Sequence, residues 1–390
     1  MMGQHARSES LFYYFRIEDQ VPENHLLRLI DRHISFDQEI PHHSTFSKNR
    51  HGRFQESNLF QQLFEEIVDR CMEAGLVEGE HLSVDGSFIP ANASRLSRIL
   101  REQLPEAAHV KRTVREYLAD LEQENPVEEP APQQDQISTT DPDSTYSTKG
   151  DRPAELGYFN NYLIDNKSCV IVGVQATTAR LSQESAAARE MITRSAERRG
   201  RFPQSIAADT TYGNGELLAW FEERDITPYI RVKESPAPKT NLYGIERFIY
   251  DPETNSYQCP AGKRLTYLGV NPRNRNHIYR ATRKRCRECA HKSRCTTGHY
   301  RQIAIHVHEA ARQRARERTT VPAFAAAQRQ RRKVEALFAE LKNQIGLRRV
   351  RLRRIKHVRE QFFLAATAQN LKRLARFLRS RSLESATVPI

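Results

Sequence analysis

Apolar residues recur at helical spacing near both ends of the chain. In the first 80 residues and again beyond residue 320, they repeat every three or four positions. The spacing predicts six helices, at 11–15, 24–34, 44–54, 59–74, 321–344 and 355–378.

The middle of the chain shows strand patterns that alternate with helical ones. Apolar and polar residues alternate over 82–89, and two further β-rich runs, 158–164 and 169–176, are joined by a turn at 165–167. A helix, a short strand, a second helix and a last strand follow, at 182–198, 204–208, 213–224 and 227–232. This order indicates an α/β protein with a mixed sheet.

Composition divides the chain into four parts. A helical part covers 1–80, and the first part of the α/β core covers 81–232. Within that core, residues 116–148 contain no Lys or Arg and are rich in acids and Pro, which predicts a linker or a loop that orders late. A polar insertion that contains four cysteines covers 233–320, and a basic helical part covers 321–380.

Positive charge is concentrated in the last part. The chain has 61 Lys and Arg against 48 Asp and Glu, a net charge of +13. Residues 329–379 hold sixteen basic side chains against Glu335, Glu340 and Glu360, an excess equal to that of the whole chain. Because three acids cannot pair sixteen bases, a polyanion such as nucleic acid is favoured over a self-paired surface.

Membrane and export signals are missing from the pattern. The chain has no run of about 18 apolar residues, and its first ten residues lack the basic and then apolar order of a secretory leader. We therefore expect a cytoplasmic protein that does not bind membranes.

One helical face combines a carboxylate with two cations. At about 100° per residue, Arg331, Glu335 and Lys342 fall within roughly 40° of one another. An apolar stripe lies beside them, formed by Val334, Leu337, Phe338 and Leu341. The face suits a metal-dependent phosphodiester site, and the alternative is a solvated helix with an Arg/Glu pair.

Two further acids lie at the ends of predicted strands. Asp85 lies in the 82–89 run before a glycine, and Asp209 follows the 204–208 strand. Loops meet at strand ends, where chemistry is common, although each acid alone also fits a turn or a helix cap. With Glu335 they supply three carboxylates, the oxygen ligands that Mg²⁺ prefers.

These acids stand in segments that resemble a known family. Val-Asp-Gly-Ser-Phe-Ile-Pro-Ala-Asn-Ala-Ser at 84–94, Ala-Asp-Thr-Thr-Tyr-Gly at 208–213 and the spacing Arg331-x3-Glu335-x6-Lys342 are similar to the catalytic blocks of bacterial insertion-sequence DDE transposases. The branch is the one whose last block reads Tyr-x2-Arg-x3-Glu-x6-Lys. The similarity extends from about residue 11 to 378, and its strength lies in the order and spacing of the blocks.

The resemblance implies a ribonuclease-H-like core preceded by a helical DNA-binding domain. In this family Asp85, Asp209 and Glu335 would bind Mg²⁺ or Mn²⁺, and the reaction would be cleavage at the element's ends followed by strand transfer into target DNA. The partners would be double-stranded DNA, as terminal repeats and target, and a second copy of the chain. The expected DNA-binding residues are Arg331, Lys342, Arg348, Arg349 and Arg351.

Two features depart from the family pattern. Gln328 stands where the signature has Tyr, and the step from Arg32 to Pro41 lacks a helical stretch that members usually have. The second departure indicates an internal deletion in the N-terminal domain. The alternative function is therefore a catalytically defective remnant that acts as a DNA-binding protein.

An RNA-binding or structural zinc protein is a third class. It predicts aromatic side chains among the basic ones. Beyond residue 340, the C-terminal region offers only Phe362, Phe363 and Phe377, whose positions favour helix packing.

The cysteines fall into two groups. Cys71 and Cys169 lie in apolar runs and are predicted to be core residues. Four thiols in the polar insertion suit one tetrahedral structural Zn²⁺, and unmetallated thiols are the alternative. These four are Cys259, Cys286, Cys289 and Cys295.

Overall fold

The computed structural model describes residues 12–13, 40–41, 58–124, 136–147, 153–179, 181–233 and 242–386. Its strands are β1 (Phe12–Tyr13), β2 (Ile40–Pro41), β3 (His81–Pro90), β4 (Arg98–Leu100), β5 (Gln136–Ser138), β6 (Thr145–Ser147), β7 (Glu155–Asp165), β8 (Ile171–Thr178), β9 (Ser205–Ala207), β10 (Thr227–Tyr229), β11 (Ile249–Asp251), β12 (Ser256–Gln258), β13 (Arg264–Asn271), β14 (Asn276–Arg280) and β15 (Gln302–His306).

The α-helices are α1 (Leu59–Glu73), α2 (Leu104–Val110), α3 (Arg112–Glu124), α4 (Leu181–Arg199), α5 (Gly215–Glu222), α6 (Arg283–Arg287), α7 (Lys292–Cys295), α8 (Glu309–Arg318), α9 (Pro322–Arg331), α10 (Lys333–Asn343) and α11 (Ile355–Ala386). Two compact units contain these elements. The first is formed by residues 1–207 and 326–390, and the second by residues 208–325.

A mixed sheet forms the centre of the first unit. Strand β3 pairs antiparallel with β7, from Leu82 opposite Asp165 to Pro90 opposite Gly157, and parallel with β9. Strands β8 and β6 both pair antiparallel with β7. Strand β7 is buried along almost its whole length, because helices cover the sheet.

Three helices contribute to the core of this unit. Helices α4 and α11 pack on β8, and α11 also packs on α1. The rings of Phe64 on α1 and Phe363 on α11 have centroids 5.5 Å apart. Phe362 and Phe363 are both buried, so these two aromatic residues of the basic part pack inside the protein as predicted.

The second unit contains a five-stranded antiparallel sheet in the order β11-β12-β13-β14-β15. Its core is a small cluster that includes Phe248, Leu265, Tyr279 and Ile303. Helices α5 and α8 of the same unit are joined by ion pairs from Arg314 to Glu222 and from Arg318 to the same carboxylate.

Most predicted elements that fall on described residues are present. The helices predicted at 59–74, 182–198 and 355–378 and the strand predicted at 82–89 are confirmed with small changes of boundary. The predicted hairpin is β7 and β8. The helices predicted at 24–34 and 44–54 lie outside the described residues. In the described part of the chain, no helix is long and apolar enough to cross a bilayer.

Two predictions of local structure were wrong. Residues 12–13 form a strand paired with 40–41, and the aromatic run that begins at Phe12 explains this because aromatic residues favour strands. The predicted helix over 321–344 is two helices, α9 and α10, separated at Arg332. Glu335 N donates to Arg332 O, an i→i+3 bond that interrupts the regular helical ladder.

The predicted linker 116–148 is folded where the structure describes it. It includes the end of α3 together with β5 and β6. Three of its acids contact Arg354, which forms ion pairs with Asp120 and Asp143 at 2.7 Å and 2.8 Å and donates its backbone N–H to Asp141. A distant cation, which composition could not assign to this segment, therefore orders it.

Candidate active site

Two polar side chains of strand β3 contact basic residues of helices α9 and α10. Asp85 and Ser87 are two residues apart and therefore lie on the same face of the strand. Asp85 Oδ2 accepts a hydrogen bond from Arg331 Nη1 at 2.9 Å, and its Oδ1 accepts one from the Gly86 backbone at 2.8 Å. Lys342 Nζ donates to Ser87 Oγ at 2.9 Å. Both cations predicted to share a face therefore contact the same strand.

The packing of α10 explains this placement. Its apolar stripe is buried, as the sequence predicted, at Val334, Leu337, Phe338 and Leu341. The Phe338 ring stacks on Tyr162 of β7, with centroids 4.9 Å apart and planes 14° apart. Because the stripe faces the core, the neighbouring positions bring polar side chains to the edge of the sheet.

Glu335 lies on the exposed side of the same group. Its side chain is 65% exposed, and its Oε1 lies 3.9 Å from Arg331 Nη2. The side chains of Asp85 and Arg331 are each only 16% exposed. The guanidinium thus lies between an enclosed carboxylate and an open one, and these are two of the three predicted metal ligands.

Asp209 belongs to the second unit. It is the N-cap of a short 3-10 turn at Thr210–Tyr212, and its Oδ1 accepts the Thr211 backbone N–H at 2.8 Å. The cap is one of the local roles that the sequence allowed for this acid. Its part in a shared metal site stays a prediction.

Three of the predicted DNA-binding arginines, Arg348, Arg349 and Arg351, follow α10 and are exposed. Arg348 Nη2 donates to Asn343 Oδ1 at 3.1 Å, and Arg349 Nη1 donates to Ala91 O at 2.6 Å. The backbone O of Arg351 accepts a hydrogen bond from Asn92 Nδ2 at 2.9 Å. This basic segment, residues 348–353, is therefore fastened to the chain that leaves β3, close to Asp85 in sequence.

Several buried charged groups that support the basic segment were not predicted. Arg354 is buried with φ +70° and pairs with the acids of 116–148, which fixes the end of the basic segment. Glu340 pairs with Lys372 at 2.6 Å and Arg373 at 2.7 Å, which joins α10 to α11. Burial opposes ionisation of Glu340, but these cations outweigh it and lower its pKa to about 2. The alternation along β3 could have indicated that Ser87 lies on the same face as Asp85. The long-range ion pairs leave no pattern in the local sequence from which they could be predicted.

The four cysteines of the second unit line one cavity of about 20 Å³. The turn that begins at Cys259 places Gly262 at φ +72° and brings the Lys263 N–H to 3.4 Å from Cys259 Sγ. Cys295 is buried, and burial together with the nearby thiols raises its pKa against the opposing effect of Arg301. Among the described residues, no group of three or more Cys, His, Asp or Glu side chains is arranged closely enough to hold a metal ion.

Comparison with known families gives one match. Residues 258–375 match the family model described as Transposase DDE domain. The matched segment contains Arg331, Glu335 and Lys342 but neither Asp85 nor Asp209. No curated protein and no solved structure matches the chain. The comparison therefore supports a DDE transposase, on the segment that carries Glu335.

Proposed function

We propose that this protein is a DDE transposase that cleaves and joins insertion-sequence DNA. The observation that carries the proposal is the meeting of Asp85 and Glu335 at the guanidinium of Arg331, with Lys342 held beside them on β3. The match to the transposase DDE domain supports the same function. The mixed sheet, in which β9 joins β3 in parallel, supports a ribonuclease-H-like core.

The proposed metal ligands are Asp85, Asp209 and Glu335. Their donor chemistry suits Mg²⁺ or Mn²⁺, because hard divalent ions prefer carboxylate oxygens, and two of the three carboxylates already share one cation. When bound, such ions activate the attacking oxygen and stabilise the leaving oxygen of an in-line displacement at phosphorus. The carboxylates hold the site, and no covalent protein intermediate is needed.

The DNA backbone would follow the cations beside this site. Lys342 and Arg348 border a cavity of about 420 Å³ whose wall includes Phe88 and Pro90. The basic segment continues from there with exposed Arg349 and Arg351, whose positions are fixed by contacts to the chain after β3. Cations placed there would contact phosphates and position a duplex without reading its sequence. Because two element ends are cut and joined together, we expect two copies of the chain on the DNA.

We also propose that Cys259, Cys286, Cys289 and Cys295 bind one structural Zn²⁺. All four line one cavity, and four thiolates are a preferred zinc set, which supports this; binding would have to draw the thiols closer together than the structure has them. The Lys263 N–H directed at Cys259 Sγ would stabilise a thiolate there.

The test of the proposed function is cleavage of a plasmid that carries the DNA flanking the protein's own gene, with Mg²⁺ or Mn²⁺ present. We expect Asp85→Asn, Asp209→Asn and Glu335→Gln each to reduce cleavage to background while a gel shift still detects DNA binding. Glu73→Gln is the matched control, because Glu73 is an exposed acid at the end of α1.

Each departure from that result has a defined meaning. Full cleavage by one acid variant would remove that residue from the site. A wild-type chain that binds DNA without cutting it would favour the defective remnant over the transposase.

A further inference from the structure

Arg331 occupies the place between two carboxylates that a bound cation would take. Its Nη1 lies 2.9 Å from Asp85 Oδ2 and its Nη2 lies 3.9 Å from Glu335 Oε1. The Asp85 carboxylate is largely enclosed, and an enclosed carboxylate is costly unless a positive charge compensates it. The Arg331 guanidinium therefore supplies positive charge to both acids.

The position of the guanidinium is defined by a third contact. Arg331 Nε donates to Gln328 Oε1 at 3.2 Å, one helical turn earlier in α9. One terminal nitrogen thus donates to Asp85, the other lies within ion-pair distance of Glu335, and Nε is held by a neutral amide. Gln328 occupies the position at which the sequence departs from the Tyr of the resembling family. We assign Gln328 as a positioning residue for Arg331.

A divalent ion and this guanidinium would compete for the same oxygens. An ion ligated by Asp85 and Glu335 would lie within a few ångströms of the present Nη1 and Nη2 positions, where the repulsion of like charges is large. The two cations cannot both occupy the place. Arg331 is long and flexible enough to turn its planar donors towards a phosphate, for which guanidinium geometry is well suited.

We propose that Arg331 is a resident cation that keeps Asp85 and Glu335 paired until a divalent ion replaces it, and that its released guanidinium then binds the DNA backbone. This inference rests on the proposed metal site. It makes metal and DNA binding cooperative, because a phosphate that holds Arg331 away from Asp85 favours the metal. By linkage, metal favours DNA by the same factor.

The test is a titration of the full chain with Mn²⁺. The electron paramagnetic resonance signal of the free ion measures how much Mn²⁺ stays unbound. In the absence of DNA, Arg331→Gln should bind Mn²⁺ about tenfold more tightly than the wild type. Arg332→Gln is the matched control, because it removes the same charge from the adjacent exposed residue, and it should change the affinity much less.

A second readout separates competition from misfolding. Without metal, Arg331→Gln should melt at a lower temperature than the wild type, because Asp85 loses its counter-charge, and saturating Mn²⁺ should close that gap. Adding a short DNA duplex should tighten Mn²⁺ binding to the wild type and have a smaller effect on Arg331→Gln. Gln328→Leu should shift Mn²⁺ affinity in the same direction as Arg331→Gln, by a smaller factor.

The outcomes distinguish this proposal from the proposed function. If Asp85→Asn loses Mn²⁺ binding but Arg331→Gln binds no more tightly than wild type or than Arg332→Gln, the resident-cation proposal is overturned and the metal site stands. If neither the wild type nor Arg331→Gln binds Mn²⁺, both proposals fail.

Discussion

Lys342 Nζ donates a hydrogen bond to Ser87 Oγ at 2.9 Å, which joins the last turn of α10 to the strand that carries Asp85. A basic side chain that sequence alone would leave on a solvated helix face is thereby held beside the candidate active site. The contact holds the cation beside Ser87, two strand positions from Asp85.

Replacing Lys342 with Ala should weaken DNA binding without changing which sequence is preferred. A phosphate contact contributes through counter-ion release, so the slope of log K against log salt should become shallower by about one. Binding isotherms at several salt concentrations measure this. Lys167→Ala is the control, because Lys167 is an exposed lysine on the β7–β8 turn, where it pairs with Glu78. An unchanged slope in Lys342→Ala would show that this lysine contacts no phosphate.

Glu340→Gln should destabilise the protein at neutral pH by about 3 kcal/mol, since Lys372 and Arg373 would lose their shared carboxylate. The pKa of Glu340 is lowered from 4.5 to about 2 in the folded state. The stabilisation is therefore complete above about pH 4.5 and is lost as the pH falls towards 2.

The Glu340 prediction is tested by urea unfolding at pH 7 and pH 3, with circular dichroism as the signal, which gives the free energy of unfolding at each pH. The difference between wild type and variant should shrink at the lower pH. The exposed Glu317→Gln serves as the control. A difference that is equal at both pH values would contradict the ion-pair explanation.

Asp141→Asn should be neutral or stabilising at pH 7. Burial raises the pKa of Asp141 to about 6, although hydrogen bonds from Tyr158 and the Arg354 backbone oppose the shift. Because the folded pKa lies above the unfolded value of 3.8, the wild type loses stability as pH rises from about 4 through about 6. An Asn oxygen can accept the same two hydrogen bonds and does not ionise, so the variant should lack this pH dependence.

Melting temperatures between pH 4.5 and 7.5 test the Asp141 prediction. Asp143→Asn is the informative comparison, because Asp143 pairs with Arg354 Nε and accepts the Ile355 N–H at the start of α11. That variant should be destabilised throughout the range. Equal destabilisation by Asp141→Asn at every pH would show that its charged form is needed.

Cys286→Ser should lower the zinc content of the purified protein from about one ion per chain towards zero and reduce the melting temperature. The expected cause is loss of one ligand from the cavity that the four thiols line. Cys169→Ser is the control, since Cys169 lies on the β7–β8 turn in the first unit. A wild-type protein with much less than about one zinc per chain would leave the thiols unmetallated.

The sequence by itself determined most of the local elements and the chemical types present at the site. The periodicity of α10 fixed which face is buried, because four apolar side chains at helical spacing can enter the core only together. Alternation along β3 likewise placed Asp85 on a defined face. The basic excess around Glu335 followed from composition.

Only the tertiary structure decided which distant groups meet. Arg331 and Asp85 are 246 residues apart, and Arg354 and Asp141 are separated by 213, so no local pattern could pair them. The described parts of the acidic segment 116–148 are folded for the same reason, because the counter-charge of Asp120 and Asp143 comes from Arg354, near the other end of the chain. Charges so far apart in sequence pair only when the packing of the sheet and the helices brings their two segments together. That packing depends on the whole of the first unit and not on either segment alone.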